Sequence, residues 1–122
     1  MIDLGPAIPI LRIFDVAKAR EFYVEFLGFA WDWEHRSDPD LPVYAQISRA
    51  GLRLHLSEHF GDGTPGTRIR LVTSGLAAMH AELAARHYRH ARPDILVQPW
   101  GWREMPIADP SGNVLVFCEE DG

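Results

Sequence analysis

"AIPILRIFDVAKAREFYVEFLGF", Ala7 to Phe29, contains a change of hydrophobic period on which the fold turns. Its first eight residues, Ala7 to Phe14, are rich in branched apolar side chains and bounded by Pro6 and Asp15, which predicts a strand. Beyond Asp15, the residues Val16, Ala19, Phe22, Tyr23, Phe26 and Leu27 recur at helical spacing. Asp15 can cap that helix through its carboxylate, and Gly28 supplies the stop. Three more strands are expected at about Phe29 to His35, Val43 to Ser48 and Leu52 to Ser57. The loop "HRSDPDLP" separates the first two, and "RAG" makes a tight turn between the others.

Outward from this stretch, the pattern returns. "EHFGDGTPG", Glu58 to Gly66, reads as a linker. After it, "TRIRLVTSGLAAMHAELAARHY" predicts a strand and then a helix that Ser74 can cap and that buries Leu76, Met79 and Leu83. "REMPIADPSGNVLVF" predicts two strands across a turn. A shift of 60 residues lays Ile8-Pro9-Ile10-Leu11 on Arg68-Ile69-Arg70-Leu71, and a shift of 61 lays Gly51 on Gly112 and Leu54 on Leu115. Identity is low, so the repeat is one of pattern: a duplicated β-α-β-β-β unit. The expected organisation is α+β, one domain over residues 1–122, with a first module at about 1–60 and a second at about 61–122.

Bulk properties agree with one domain. A chain of 122 residues, 47% hydrophobic and 24% charged, suits a single core that buries roughly two thirds of the unfolded surface. The net charge is −5 and the 12 Lys and Arg are dispersed, which argues against a nucleic-acid partner. No apolar run approaches the ~20 residues of a membrane span. Cys118 is the one cysteine, so neither an internal disulfide nor a Cys-x-x-Cys site is available. The first ten residues lack a basic region followed by an apolar run, and the expectation is a soluble, cytoplasmic protein.

Local motifs for chemistry are few. His35, His55, His59, His80, His87 and His90 show no His-x-x-x-His or His-Glu-x-x-His spacing. "GDGTPG" has no Gly-Lys-Ser/Thr and reads as linker rather than phosphate loop. Strand alternation is more informative. In "LRLHLSE", Leu52, Leu54 and Leu56 share the face expected to pack on a helix, leaving Arg53, His55 and Ser57 on the other. In "TRIRL", Ile69 and Leu71 take the buried role and Arg68 and Arg70 the opposite face. By the same alternation Trp31, Trp33 and Phe29 are expected on one face. In "QPWGWREMPIADPSGN", Arg103 and Glu104 point to opposite sides, with Arg103 expected to hold a carboxylate or carbonyls as a structural fork. Asp109 to Asn113 is expected as a turn.

"DVAKAREFYVEFLGF", "RAGLRLHLSEH", "WGWREMPIADPSGNVLVF" and the repeat together resemble the vicinal-oxygen-chelate superfamily, and within it the bleomycin-resistance branch. The resemblance covers nearly the whole chain. It implies two βαβββ modules whose curved mixed sheets form a cup, and a homodimer that completes ligand clefts at its interface. It also implies where metal-dependent relatives would place four ligands: Ile8, His55, Arg68 and Val116. Only His55 can ligate, because Ile and Val have no donor atom and Arg carries a fixed positive charge. The expectation is therefore no metal, no cofactor and no catalytic residue.

The branch places aromatic side chains against flat ligands at positions matching Trp33, Tyr44 and Trp100. The expected ligand-binding set is Trp33, Tyr44, Trp100 and Trp102 as ring surfaces, with His55, Ser57, Arg68 and Arg70 as polar lining. The expected function is sequestration of a bleomycin-type glycopeptide antibiotic, a planar and cationic ligand. Two alternatives stand beside it: a divergent glyoxalase- or dioxygenase-like enzyme using His55, and a binding protein for another small molecule. Arg68 and Arg70 favour an anionic ligand in the latter case.

Overall fold

In the computed structural model, which describes residues 1–121, the chain forms two units of the same topology. The first comprises β1 (Ile10–Arg12), α1 (Val16–Arg20), β2 (Ala30–His35), β3 (Tyr44–Arg49) and β4 (Leu52–Ser57). The second comprises β5 (Arg68–Val72), α2 (Leu76–Ala85), β6 (Leu96–Val97), β7 (Trp102–Ala108) and β8 (Val114–Glu120). Their sheets have matching orders, β1-β4-β3-β2 and β5-β8-β7-β6, with the first pair of each parallel and the rest antiparallel. The expected α+β architecture of two βαβββ modules is the one observed.

Local chemistry sets the boundaries. Asp15 caps α1, its carboxylate accepting from the Lys18 amide at 3.0 Å. α1 runs directly into a π-helical segment, Glu21–Phe26, where the Leu27 amide donates to the Phe22 carbonyl, five residues back. That wider winding ends at Gly28, whose φ of +77° favours glycine. Ala50 and Gly51, at φ of +50° and +88°, join β3 to β4 in the expected tight turn. The first strand is shorter than the apolar run Ala7–Phe14 suggested, because only Ile10–Arg12 finds partners, in β4.

Two expectations are overturned. Ser74 does not cap α2: Gly75 holds the cap position at φ +80°, and its amide donates to the Glu119 carboxylate of β8 at 2.9 Å. The Glu119 carboxylate thus holds the cap residue itself, and no side chain caps the first turn of α2. The second correction concerns Trp31 and Trp33, which do not share a face. The β2–β3 register slips between them, with Trp31 opposite Ile47 and Trp33 opposite Gln46. Asp32 is the extra residue of this bulge, and such a bulge re-aims the side chains that follow it. Trp31 packs against the core and under Arg20, whereas Trp33 goes to the other side of the sheet.

One apolar core joins both modules. Leu11, Phe22, Tyr23, Phe26, Leu54 and Leu56 of the first form a single cluster with Leu71, Leu76, Leu83, Met105, Leu115 and Phe117 of the second. A polar seam reinforces it. The Tyr23 hydroxyl donates to the buried Asp109 carboxylate at 2.6 Å, and the Asn113 amide donates both to Asp109 and to the Arg12 carbonyl of β1, at 2.9 and 2.8 Å. Asp109 also accepts from the Ser111 and Asn113 amides, so the segment Asp109–Asn113 is both the expected turn and the tie between modules. On the other side, Arg49 and Arg86 donate to the Leu27 and Phe26 carbonyls at the end of the first helix, and Glu82 pairs with both. The Gly-rich linker is structural as well: a β-carbon on Gly63 would meet the Ile10 carbonyl of β1 at 2.7 Å.

Candidate ligand-binding faces

Each sheet turns one face to the helices and leaves the other open, and the predicted site residues divide between the two open faces. On the first, alternation along β3 and β4 puts Tyr44 and Gln46 beside His55, opposite the buried Ala45, Ile47, Leu54 and Leu56. The bulge in β2 adds Trp33. Trp33 and Tyr44 are stacked with centroids 6.2 Å apart and planes at 18°, and both meet the His55 ring edge-on at 5.5 and 5.1 Å. Trp33 is 44% exposed, so its ring remains available as a surface.

Polar contacts hold this aromatic group in place. The Tyr44 hydroxyl lies 2.7 Å from His55 Nδ1, and His55 Nε2 lies 3.1 Å from Gln46 Oε1. The Gln46 amide donates to Asp32 at 3.0 Å, and the Ser48 hydroxyl donates to the other Asp32 oxygen at 3.0 Å. Those two bonds hold the Asp32 carboxyl below its usual range. Partial burial, followed by the Arg53 charge, lowers His55 and favours the neutral ring. Partial burial and the Asp62 charge raise Tyr44, so its hydroxyl keeps its proton. Ser57, expected in this lining, is fully buried; its hydroxyl donates to Asp62 and accepts from the His59 amide, both at 3.0 Å.

The second open face is ionic. Arg70 donates to Glu104 at 2.5 Å, and its guanidinium stands 5.4 Å from the Trp102 ring centroid. Glu104 is nearly buried, and Gln98 donates to its second oxygen at 3.3 Å. The hydrogen bond from Arg70 holds the Glu104 carboxyl below its ordinary value. Arg68 is exposed on the same side of β5, and Trp100 is 63% exposed in the turn before β7. Arg103 points the other way and forks onto Glu119 at 2.5 Å and Asp121 at 3.8 Å, as its expected structural role requires.

The protomer does not bring the two sets together. Among the described residues, no hydrogen bond, ion pair or ring contact links Trp33, Tyr44 or His55 to Arg68, Arg70, Trp100 or Trp102. An open groove of about 820 Å³ lies between the modules, bordered by Phe29, Leu52, Val72, the Arg49–Glu82 pair and, of the expected site residues, Arg70. Its facing charges already satisfy each other, and the aromatic trio does not border it.

The positions that would hold a metal do not fit one. Ile8 and Val116 offer no donor, Arg68 is a cation, and both ring nitrogens of His55 are engaged within the sheet. Among the described residues, no three His, Cys, Asp or Glu side chains are grouped to hold an ion. Sequence reasoning missed Asp32, Gln46 and Glu104. The alternation Tyr44-x-Gln46 carried the signal for one, whereas Asp32 depends on the bulge and Glu104 on its pairing with β5.

Comparisons with known proteins agree with this architecture. A bleomycin resistance determinant encoded on transposon Tn5 is 20% identical with a TM-score of 0.76, covering 98% of this chain and 100% of that one. The bleomycin-binding protein from Streptomyces verticillus, solved with copper(II)-bleomycin, is 28% identical with a TM-score of 0.68, covering 96% and 97%. A glyoxalase-related enzyme from Clostridium phytofermentans is 22% identical with a TM-score of 0.73, covering 98% and 97%. None of the curated proteins matches the chain. The profile of glyoxalase superfamily proteins matches residues 1–122 from end to end, and with the duplicated βαβββ fold in place the chain belongs to that superfamily.

Proposed function

We propose that this protein is a metal-free, cytoplasmic binding protein that sequesters a planar small molecule of the bleomycin type without altering it. The observation that carries the reading is the solvent-facing trio of Trp33, Tyr44 and His55, held in place from behind yet open in front. Offset-stacked aromatic contacts are worth ~0.5–1.5 kcal/mol beyond area burial, and the rings can also hold a cation. The 28% identity to a bleomycin-binding protein over nearly both chains supports the ligand class.

Two arginines in the second face count against a cationic ligand only if both are free. Arg70 is committed to Glu104, which leaves Arg68 as the exposed positive charge there. An anionic ligand is therefore the second reading, and Arg68 is what favours it. The proposal includes a homodimer in which a second copy completes the ligand clefts.

Calorimetric titration with metal-free bleomycin, after light scattering has fixed the oligomeric state, tests the proposal. Submicromolar binding at one drug per subunit of a dimer is the expected result. A folded dimer that gives no heat at several temperatures would remove the bleomycin reading and direct the search to anionic ligands at Arg68.

A further inference from the structure

The hydrogen bonds on the first open face have a direction. Asp32, as a carboxylate, can only accept, and it takes the Gln46 amide N–H. Gln46 therefore turns its carbonyl oxygen to His55 Nε2, which must carry a proton to make that bond. A neutral imidazole protonated at Nε2 is unprotonated at Nδ1, so the Tyr44 hydroxyl must donate inward across the 2.7 Å contact. Its single proton is then used, and the outward side of the Tyr44 oxygen carries lone pairs alone.

We propose that this face selects ligands with a hydrogen-bond donor: a flat ring laid on Trp33 and an N–H directed to the Tyr44 oxygen. The proposal rests on the reading of this face as a ligand wall. The charges on this side are of both signs, so the hydrogen-bond direction carries the preference: Asp62 lies close enough to act on Tyr44 and Asp32 is exposed beyond Gln46, while Arg53 on β4 and Arg12, beside Ser57 on β1, are cations. An acceptor-only ligand would set its lone pairs against those of Tyr44. Asp32 is a positioning residue in this arrangement: it touches no ligand, and acts by fixing which way Gln46 and His55 point.

Long-range proton–nitrogen NMR of histidine-labelled, ligand-free protein at neutral pH reads the direction without any ligand. His55 protonated at Nε2, with Nδ1 bare, is expected; a proton on Nδ1 would overturn the proposal. Selectivity is then read by titrating quinoline-2-carboxamide against its N,N-dimethyl derivative, which keeps the ring and loses the N–H. The first should bind roughly two- to tenfold more tightly, the range of one net hydrogen bond. Tyr44→Phe should erase that preference, bringing the two probes to equal affinity; a preference that survives in this variant would overturn the proposal. Equal binding of both probes to the wild type would overturn the donor preference alone. Binding of neither would bring down the ligand-wall reading, and this proposal with it.

Discussion

The two modules share a topology and exchange their chemistry. In the first, the cross-strand pair Gln46–His55 is polar and the β1 residue beside it, Ile10, is apolar. In the second, the matching pair is Pro106–Val116, and the matching β5 residue is Arg70. Tyr44 opposite Ser57 likewise becomes Glu104 opposite Cys118. One sheet therefore presents neutral, hydrogen-bonded rings, and its duplicate presents an ion pair with a tryptophan under the arginine. The shared backbone pairing fixes where a side chain stands, and the side chains then decide what that place can bind.

The largest test of this comparison asks whether the modules are separable. Their common core predicts a single cooperative unfolding transition, and Phe22→Ala should cost about 3–5 kcal/mol and lower it as a whole. Denaturant unfolding followed by tryptophan fluorescence and by circular dichroism checks this; two resolved transitions would make the modules independent. The polar seam comes next. Tyr23→Phe removes the donor from a buried Asp109 oxygen and should cost about 1–3 kcal/mol. A loss below a few tenths would mean that the Asn113 side chain alone satisfies that oxygen.

Smaller effects distinguish the two open faces. Trp33→Ala should weaken a flat ligand by about 1 kcal/mol while leaving the melting temperature nearly unchanged, since the ring lies outside the core. Equal weakening by Trp102→Ala would mean that both faces contact one ligand, as a dimeric cleft requires. The smallest effect concerns Glu104. Its folded-state pKa is depressed, chiefly by the hydrogen bond from Arg70, so the stabilisation is full above the ordinary carboxylate value. It fades as the pH falls through the lower, folded value. The melting temperature of wild type should exceed that of Glu104→Gln at neutral pH and converge with it in acid. The gap should be modest, because Arg70 is half exposed.

How much of this was legible in advance differs by element. The helix from Asp15 to Gly28 and the strands of the first module follow from hydrophobic period and from turn residues whose backbone preferences are local. Ser74 was a reasonable cap by the same logic, but the cap position falls to Gly75, whose amide is held by Glu119, an acceptor 44 residues away that no local rule includes. Ser57 stood on the expected face by alternation, yet the linker folds back and occupies its hydroxyl with Asp62. Glu104 was placed opposite in direction to Arg103, but its arginine partner lies 34 residues upstream.

Sequence alone determined the duplicated α+β plan and the buried faces of β4 and β5, and the resemblance it carries implied the metal-ligand positions that Ile8, Arg68 and Val116 cannot serve. Each follows from the spacing or the intrinsic chemistry of residues, properties a chain carries before it folds. Tertiary structure alone decided that Trp33 leaves the side of Trp31, that Asp32 orients Gln46 and His55, and that Tyr44 donates inward. Those outcomes depend on one extra residue in the pairing of β2 with β3. A register is settled only when two strands meet and the buried face of the sheet must be filled.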